Sequence, residues 1–333
     1  MGVFVYLPLV LPLTALPIAR LAEQRLHPRG ATRLLVFVGA TLALCSTLCL
    51  ALLMVVGTAQ LPGNPLPDGW ADPEVLAAVP YEEKAGIVAI GVLAAVVTAC
   101  AGALWRHART RARLTNALGG ESGEGDGTAV VPSPEPYAYA LPGRRGRRGR
   151  PGWRGAAHGG RVVVSTAMLE CLDVRERAAL LAHERAHLTG RHHRYLLAAQ
   201  LAARAHPLLL PLRTAVAFST ERWADEEAAR AVGDRRVVAR AVGKGALSAH
   251  RAHHPAPVPT PSGAYGAFAS VGPIPRRVAA LLDPAPPLRL WPPSTAQVGL
   301  AALTATVGAT ASALSSLNAM VALVRILHGV TRL

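Results

Sequence analysis

Two histidines and a glutamate stand at a spacing that suits metal-dependent hydrolysis. They belong to the run His183-Glu184-Arg185-Ala186-His187. Residues four positions apart project from one face of an α-helix about one turn apart, so His183 and His187 can bind the same metal ion. Glu184 lies beside them, where it can act as a general base on a water molecule. An exposed polar helix face is the alternative interpretation of this short motif taken alone.

A second group of acidic residues follows in the stretch 219–227. Glu221 and Asp225 are also four residues apart, and they share one helical face if Ser219 or Thr220 caps the helix. Glu221 can complete a site of two histidines and one carboxylate that leaves a position for water. Asp225 can accept the N–H of a ligating histidine and fix its orientation. A solvated acidic helix face is again the alternative.

Local signals predict the elements that position these residues. Asp173 and Glu176 form a capping box, apolar helix formers follow, and Gly190 is a natural stop, so one helix is predicted over about Val174–Thr189. Two strands are predicted before it, over 137–143 and 161–166.

The composition indicates a membrane protein. Hydrophobic residues make up 51% of the 333 residues and charged residues only 17%, which is too apolar for an ordinary soluble protein. Four spans of bilayer length are predicted, at 2–19, 34–59, 85–105 and 296–324. A cleaved signal peptide is the alternative for the first, but no basic residue precedes it. Four cysteines form no disulfide framework, and the composition excludes collagen and disorder.

Flanking charges predict the orientation. The segment between the first two spans carries four arginines and one acid, the segment 57–84 is acidic, and four arginines follow the third span. By the positive-inside rule, residues 107–289 face the cytoplasm, and the protein is expected to be a multi-pass protein of the cell inner (plasma) membrane. Arg325 and Arg332 disagree with a full fourth crossing, so a re-entrant or paired last helix stays open.

The predicted domains are three transmembrane helices over 1–106, a linker over 107–136, a cytosolic domain over 137–289, and the last helix with a short tail over 290–333. The net charge is +15, and an Arg/Gly stretch lies at 144–160. We interpret that stretch as a solvated loop, because it lacks the aromatic residues that would stack on bases. No direct contact with nucleic acid is expected.

Taken together, these motifs and spans resemble the BlaR/MecR-type integral-membrane zinc peptidases, which are relatives of the membrane heat-shock and CAAX prenyl endopeptidases. The segment 275–278 resembles a late segment of that family more weakly. The resemblance implies that His183, His187 and Glu221 bind Zn²⁺, that Glu184 is catalytic, and that the strand at 162–165 aligns the substrate backbone. The chain ends after the fourth span, so no extracellular sensor domain is expected.

The predicted fold is mainly α, a four-helix transmembrane protein with a cytosolic, gluzincin-like α+β zinc peptidase domain. The expected partners are the lipid bilayer and a protein or peptide substrate, and the resemblance suggests a DNA-binding repressor as that substrate. A constitutive quality-control protease for membrane proteins and a non-catalytic receptor or scaffold are the alternative functions.

Two questions about the site stay open. The pattern HExxHxxGxxH would make His193 the third ligand, but that family needs a Met-turn downstream, and Met320, the sole downstream methionine, lies in a membrane span. His192 and His193 are otherwise interpreted as a polar helix end. The donor that stabilises an oxyanion is not identified; the candidates are His192, His193, Tyr195, His206 and Tyr265.

Overall fold

The computed structural model describes residues 5–59, 83–117, 127–143, 160–251, 273–286 and 296–330. Most of the segment 57–84, most of the Gly-rich part of the linker, the Arg/Gly stretch and Tyr265 lie outside these ranges. The described chain is mainly helical with one small sheet. The helices are α1 (Leu7–Val10), α2 (Ala15–Arg25), α3 (Pro28–Ala59), α4 (Glu83–Ala117), α5 (Thr166–Glu170), α6 (Val174–Thr189), α7 (His192–Ala205), α8 (Leu210–Val232), α9 (Arg235–Arg251), α10 (Ile274–Leu282) and α11 (Ala296–Val330), and the strands are β1 (Thr128–Val131), β2 (Ala138–Leu141) and β3 (Arg161–Ser165).

Among the described residues, three helices are long and apolar enough to cross a membrane. The qualifying stretches are Pro28–Val55 in α3, Ala85–Ala117 in α4 and Leu303–Arg325 in α11. They correspond to the second, third and fourth predicted spans. Three such helices indicate membrane association.

The first predicted span is not one continuous helix. It is divided into α1, a 3₁₀ turn (Leu11–Thr14) and α2. Pro8 and Pro12 each lie at the start of one of these pieces, where a missing N–H is tolerated best. The Ser46 hydroxyl of α3 donates a hydrogen bond to the Pro8 carbonyl over 2.6 Å, so the broken segment packs along α3. A count of four spanning helices stays a prediction.

The sheet has the order β1-β3-β2, with β1 parallel and β2 antiparallel to β3. Two of its strands match the predicted ones. The expectation that residues 162–165 align a substrate is wrong, because β3 is the central strand and both of its edges are already paired. In the described chain β2 is an edge strand instead.

The predicted linker over 107–136 contains regular structure. Helix α4 continues to Ala117, and β1 adds a third strand to the sheet. Strand β1 is only four residues long and gains its hydrogen bonds from β3, which is distant in sequence. The other predicted domain boundaries stay predictions.

Helix α6 is confirmed with the predicted bounds. Asp173 and Glu176 form the reciprocal capping box, and Gly190 is the C-cap. The helix packs in one hydrophobic cluster with residues of α8, α9, α10 and the sheet. A second cluster joins α7 and the first half of α8 to α2 and α3. Helix α8 therefore runs from the apolar helices to the helix that carries the HExxH motif.

Candidate metal centre

Helices α6 and α8 bring two histidines and one glutamate together. His183 and His187 lie on α6 and Glu221 on α8, and all three are buried. The two histidine Nε2 atoms are 3.1 Å apart. Glu221 places Oε2 3.5 Å from His183 Nε2 and Oε1 3.4 Å from His187 Nε2. Three potential ligand groups therefore surround one point.

These distances suit a tetrahedral ion. Zn²⁺ binds nitrogen and oxygen ligands at about 2.0–2.2 Å, so neighbouring ligands of a tetrahedral site should be roughly 3.3–3.5 Å apart. The three separations in the structure, 3.1, 3.5 and 3.4 Å, cluster around that value. Buried imidazole nitrogens and a carboxylate are also the donor set that zinc prefers. The residues present fit a zinc ion.

Glu221 is positioned differently from the sequence expectation. Helix α8 begins at Leu210, so Ser219 and Thr220 lie inside the helix and cap nothing. The Thr220 hydroxyl instead donates to the Val216 carbonyl, one turn earlier. The cap prediction is wrong because Pro207 and Pro211 start the helical structure further upstream, and packing against α3 continues it.

On one side of the cluster, charged residues hold His183. Its Nδ1 lies 3.0 Å from Asp225 Oδ1, the contact expected from the sequence. Arg277 of α10 donates to both oxygens of Asp225, through Nε over 2.9 Å and Nη2 over 2.6 Å. Its Nη1 lies 3.1 Å from Glu221 Oε2. One arginine thus joins the candidate ligand Glu221 to the carboxylate behind His183.

Sequence reasoning did not identify Arg277 as a site residue. The side chain is completely buried, on a helix of nine residues. One signal was available: Arg277 shares the apolar face of α10 with Ile274 and Leu281, and an arginine on a buried face requires partners of opposite charge. Those partners, Asp225 and Glu221, lie about fifty residues earlier and could not be assigned by local pattern.

Burial and charge act in opposite directions on His183. Burial lowers its pKa, but hydrogen bonds to Asp225 and Glu221 raise it, and the balance is a pKa raised to about 9. Burial raises the pKa of Asp225, yet Arg277 outweighs it and holds that pKa below its usual value. Glu221 also has a lowered pKa, because His187 and Arg277 offset its burial. Without metal, this side holds a proton on His183 between two carboxylates.

On the other side, an uncharged residue holds His187. The Nδ1 atoms of His187 and His192 are 3.0 Å apart, within hydrogen-bond distance. The pKa of His187 is well below its ordinary value because of burial, and burial also lowers the pKa of His192 to about 3. His192 packs on Trp223, with ring centroids 4.4 Å apart. A side chain at Gly190 would collide with the His192 ring, which explains the glycine there.

His192 is therefore not the polar helix end that the sequence suggested. It is completely buried at the start of α7 and contacts a candidate ligand. Arg191 before it adopts a left-handed conformation, with φ of 52°. The turn between α6 and α7 folds the chain back so that a residue five positions after His187 reaches its ring. No periodic pattern on one helix signals such a contact.

Glu184 lies beside the cluster with its side chain completely buried. Burial raises the pKa of its carboxyl to about 8, while the neighbouring His183 and Arg277 lower it. The backbone of Ala140 in β2 also acts on this carboxyl. The edge strand and the candidate base therefore lie next to each other.

The remaining sequence candidates lie elsewhere. His193 lies near α4. Burial, followed in size by the charge of Arg111 on α4, lowers the pKa of His193 to about 4. It does not belong to the ligand cluster found among the described residues. Tyr195 packs near Trp223, and His206 lies at the far end of α7. Of the oxyanion candidates that the structure describes, His192 is the one seen in contact with a candidate ligand histidine, His187.

Comparison with known proteins agrees with this chemistry. Residues 124–206 match Peptidase family M48, and peptidases of this family are zinc metalloproteases. The matched range includes the sheet, α6 and α7, hence His183 and His187, and it ends before Glu221. No curated protein and no solved structure matches the chain. The match supports a metallopeptidase function.

Proposed function

We propose that the chain is a membrane-bound, zinc-dependent endopeptidase of the gluzincin type. The observation that carries the proposal is the arrangement of His183, His187 and Glu221, whose separations suit one tetrahedral ion and leave a fourth position. A non-catalytic scaffold would need no such buried cluster of ionisable groups.

His183, His187 and Glu221 would hold the ion, with Asp225 and His192 orienting the two imidazoles. When bound, zinc supplies a Lewis acid that polarises a peptide carbonyl and makes water more acidic. Glu184 accepts the proton of the attacking water on its carboxylate and returns it to the leaving amine. Its raised pKa suits a group that must both accept and donate a proton near neutral pH.

Strand β2 is the proposed support for the substrate backbone. It is an edge strand of the described sheet and lies beside Glu184. An extended peptide can add to such an edge through main-chain hydrogen bonds. This assignment replaces the central strand β3, whose backbone groups are paired on both sides.

The proposed location is the cytoplasmic face of the inner (plasma) membrane, supported by the arginines that flank the apolar helices. The proposed substrate is a DNA-binding repressor, on the basis of the resemblance to the BlaR/MecR type. Comparing protein N-termini in cells with wild-type enzyme and with Glu184→Gln tests this. New N-termini in a repressor would support it, and scattered cuts in many membrane proteins would replace it with a quality-control role.

The reaction itself is tested with purified protein and an unfolded polypeptide substrate. Glu184→Gln should lower the cleavage rate by about 10²–10⁴-fold, because a general base contributes that much. Bound zinc should stay at one ion per chain, since no ligand is removed. Glu170→Gln changes an exposed acid on α5 and is the control. Normal cleavage by Glu184→Gln would refute the mechanism.

A further inference from the structure

The geometry points to a second membrane contact: the hairpin formed by α7 and the first half of α8 enters the bilayer and holds the metal centre at the membrane–water boundary. The lipid bilayer is the partner of this surface. We call residues 192–220 the hairpin and Pro207–Leu210 its tip. The inference rests on the proposed membrane location but does not depend on metal binding or proteolysis.

Both ends of the hairpin lie at the metal centre. His192, its first residue, contacts His187, and Glu221 follows its last residue. Helix α7 has 14 residues, or about 21 Å at 1.5 Å per residue. From Leu210 to Glu221, α8 rises about 16 Å. The tip is thus one bilayer half-thickness away from the ligands, since the hydrocarbon layer is about 30 Å thick.

The arms of the hairpin contact the apolar helices well inside their spans. A side chain built on Gly39 of α3 would lie 3.4 Å from Leu212 Cδ1 and 3.9 Å from the Ala202 Cβ. On α4, the Cys100 thiol lies 3.8 Å from the Leu201 carbonyl. Directly before the tip, the ring of His206 is hydrogen-bonded to the backbone of Leu9.

Charged residues on the same helices provide a depth scale. Gly39 comes six residues after Arg33, and Cys100 six residues before Arg106, which places each about 9 Å inside its flanking arginine. Leu9 comes eleven residues before Arg20, in the segment made of α1, the 3₁₀ turn and α2, and eleven residues of helix span about 16 Å. Two long helices and this broken segment thus place the hairpin arms and tip between about a third and a half of the hydrocarbon thickness.

The surface of the tip is apolar. Leu208 is 41% exposed and Leu210 51%, while Leu209 between them is completely buried in the cluster shared with α2 and α3. Their exposure is of the same kind as that of Leu44 in the apolar helix α3, which is 71% exposed. A leucine pair at this depth would contact acyl chains rather than water.

Two arginines mark the boundary at the other end. Trp223 follows Glu221 by two residues and is buried, and the guanidinium carbons of Arg29 and Arg33 lie 5.5 and 5.8 Å from its ring centre. Arginines that flank an apolar helix are typical of the cytoplasmic membrane–water boundary. The ligand Glu221 therefore lies at the level of the arginines that end the apolar part of α3.

Two exposed arginines, Arg204 and Arg213, limit the depth of the hairpin. Their side chains are long enough to reach the phosphate groups while their stems stay among the acyl chains. This fits a tip no deeper than the middle of the hydrocarbon layer and disfavours a full crossing. An active centre held this way is open to segments that lie at the membrane surface.

Photo-crosslinking of the full chain in liposomes of phosphatidylethanolamine and phosphatidylglycerol tests the inference. Benzoylphenylalanine replaces Leu208 or Leu210, one position at a time, and lipid adducts are counted by intact mass. Leu44 in α3 is the membrane control, and Leu247 of α9, which is 58% exposed, is the matched control outside the membrane.

Positions 208 and 210 should form lipid adducts at a yield within about twofold of position 44 and roughly tenfold above position 247. Yields equal to that of position 247, or adducts with a second protein chain instead of lipid, would overturn the inference. Because the assay needs neither zinc nor cleavage, lipid adducts in a protein that binds no zinc would refute the proposed function and leave the hairpin in place. Cleavage by a protein whose positions 208 and 210 form no lipid adducts would refute the membrane contact of the hairpin and leave the proposed function in place.

Discussion

The two histidines of the metal centre are held in opposite ways. His183 contacts the carboxylate of Asp225, which is itself paired with Arg277, whereas His187 contacts the uncharged ring of His192. Both partners are buried, and burial alone would lower the pKa of either histidine. The charged side raises the pKa of His183 to about 9, and the uncharged side leaves that of His187 well below its ordinary value.

The difference shows how one site can be both stable without metal and ready to bind it. A buried carboxylate needs a positive neighbour. Without metal, the proton on His183 helps to neutralise Glu221 and Asp225; with metal, the ion would replace that proton. His187 needs no deprotonation and offers its lone pair at once. Among the substitutions below, Arg277→Ala and Asp225→Asn change the charged side, and His192→Ala changes the uncharged side.

Removing Arg277 should have the largest effect. Arg277→Ala removes the guanidinium that contacts both buried carboxylates, and breaking a buried pair in this way costs about 3–5 kcal/mol. The free energy of unfolding of the metal-free protein should fall by that amount. Arg276→Ala is the matched control, because the side chain of Arg276 is 55% exposed and pairs with Glu23 at the surface. This substitution should lower the free energy of unfolding by under about 1 kcal/mol. Equal losses in the two variants would contradict the role of Arg277.

Asp225→Asn should weaken zinc binding by about 10–100-fold, the usual cost of removing a group that orients a ligand. The amide keeps the size of the side chain but loses the charge that favours His183 as a hydrogen-bond donor. Competition with a chelator of known affinity measures the change. Asp234→Asn alters a partly exposed acid that pairs with Arg175 and serves as control. An unchanged affinity for Asp225→Asn would show that the contact has no role in metal binding.

The sequence predicted the local parts of this site and missed the distant ones. Helix α6 was predicted because its capping box and its stop are residues at its own two ends. The pair Glu221 and Asp225 was predicted from their spacing of four residues. Arg277 was missed, and His192 was named only as an oxyanion candidate or a polar helix end, because their roles depend on packing between helices. Strand β1 and the central position of β3 were not predicted for the same reason, since strand order is set by pairing between distant segments.

Zinc affinity of the wild type should depend on pH through His183. The proton must leave before the ion binds, so affinity should rise about tenfold per pH unit below the pKa of about 9 and level off above it. In Asp225→Asn, zinc affinity should level off at a lower pH, because the carboxylate of Asp225 helps to raise the pKa of His183. Affinity that is constant between pH 6.5 and 8.5 in the wild type would contradict the proton on His183.

His192→Ala should have a smaller effect on the uncharged side. The ring of His187 loses its partner, and zinc affinity should fall by about tenfold, the low end of the range for such contacts. The pH dependence should stay that of the wild type, since His183 is untouched. His193→Ala, next in sequence and directed toward α4, should change neither quantity. A shifted pH dependence in His192→Ala would show that the two sides are not independent.

The central claim is that His183, His187 and Glu221 together hold one catalytic zinc ion. The most direct measurement is the zinc stoichiometry of purified full-length protein, in the wild type and in Glu221→Ala and His193→Ala. The account predicts one zinc per chain in the wild type and in His193→Ala, and a loss of bound zinc in Glu221→Ala. Zinc retained by Glu221→Ala and lost by His193→Ala would contradict it and establish the three-histidine ligand set.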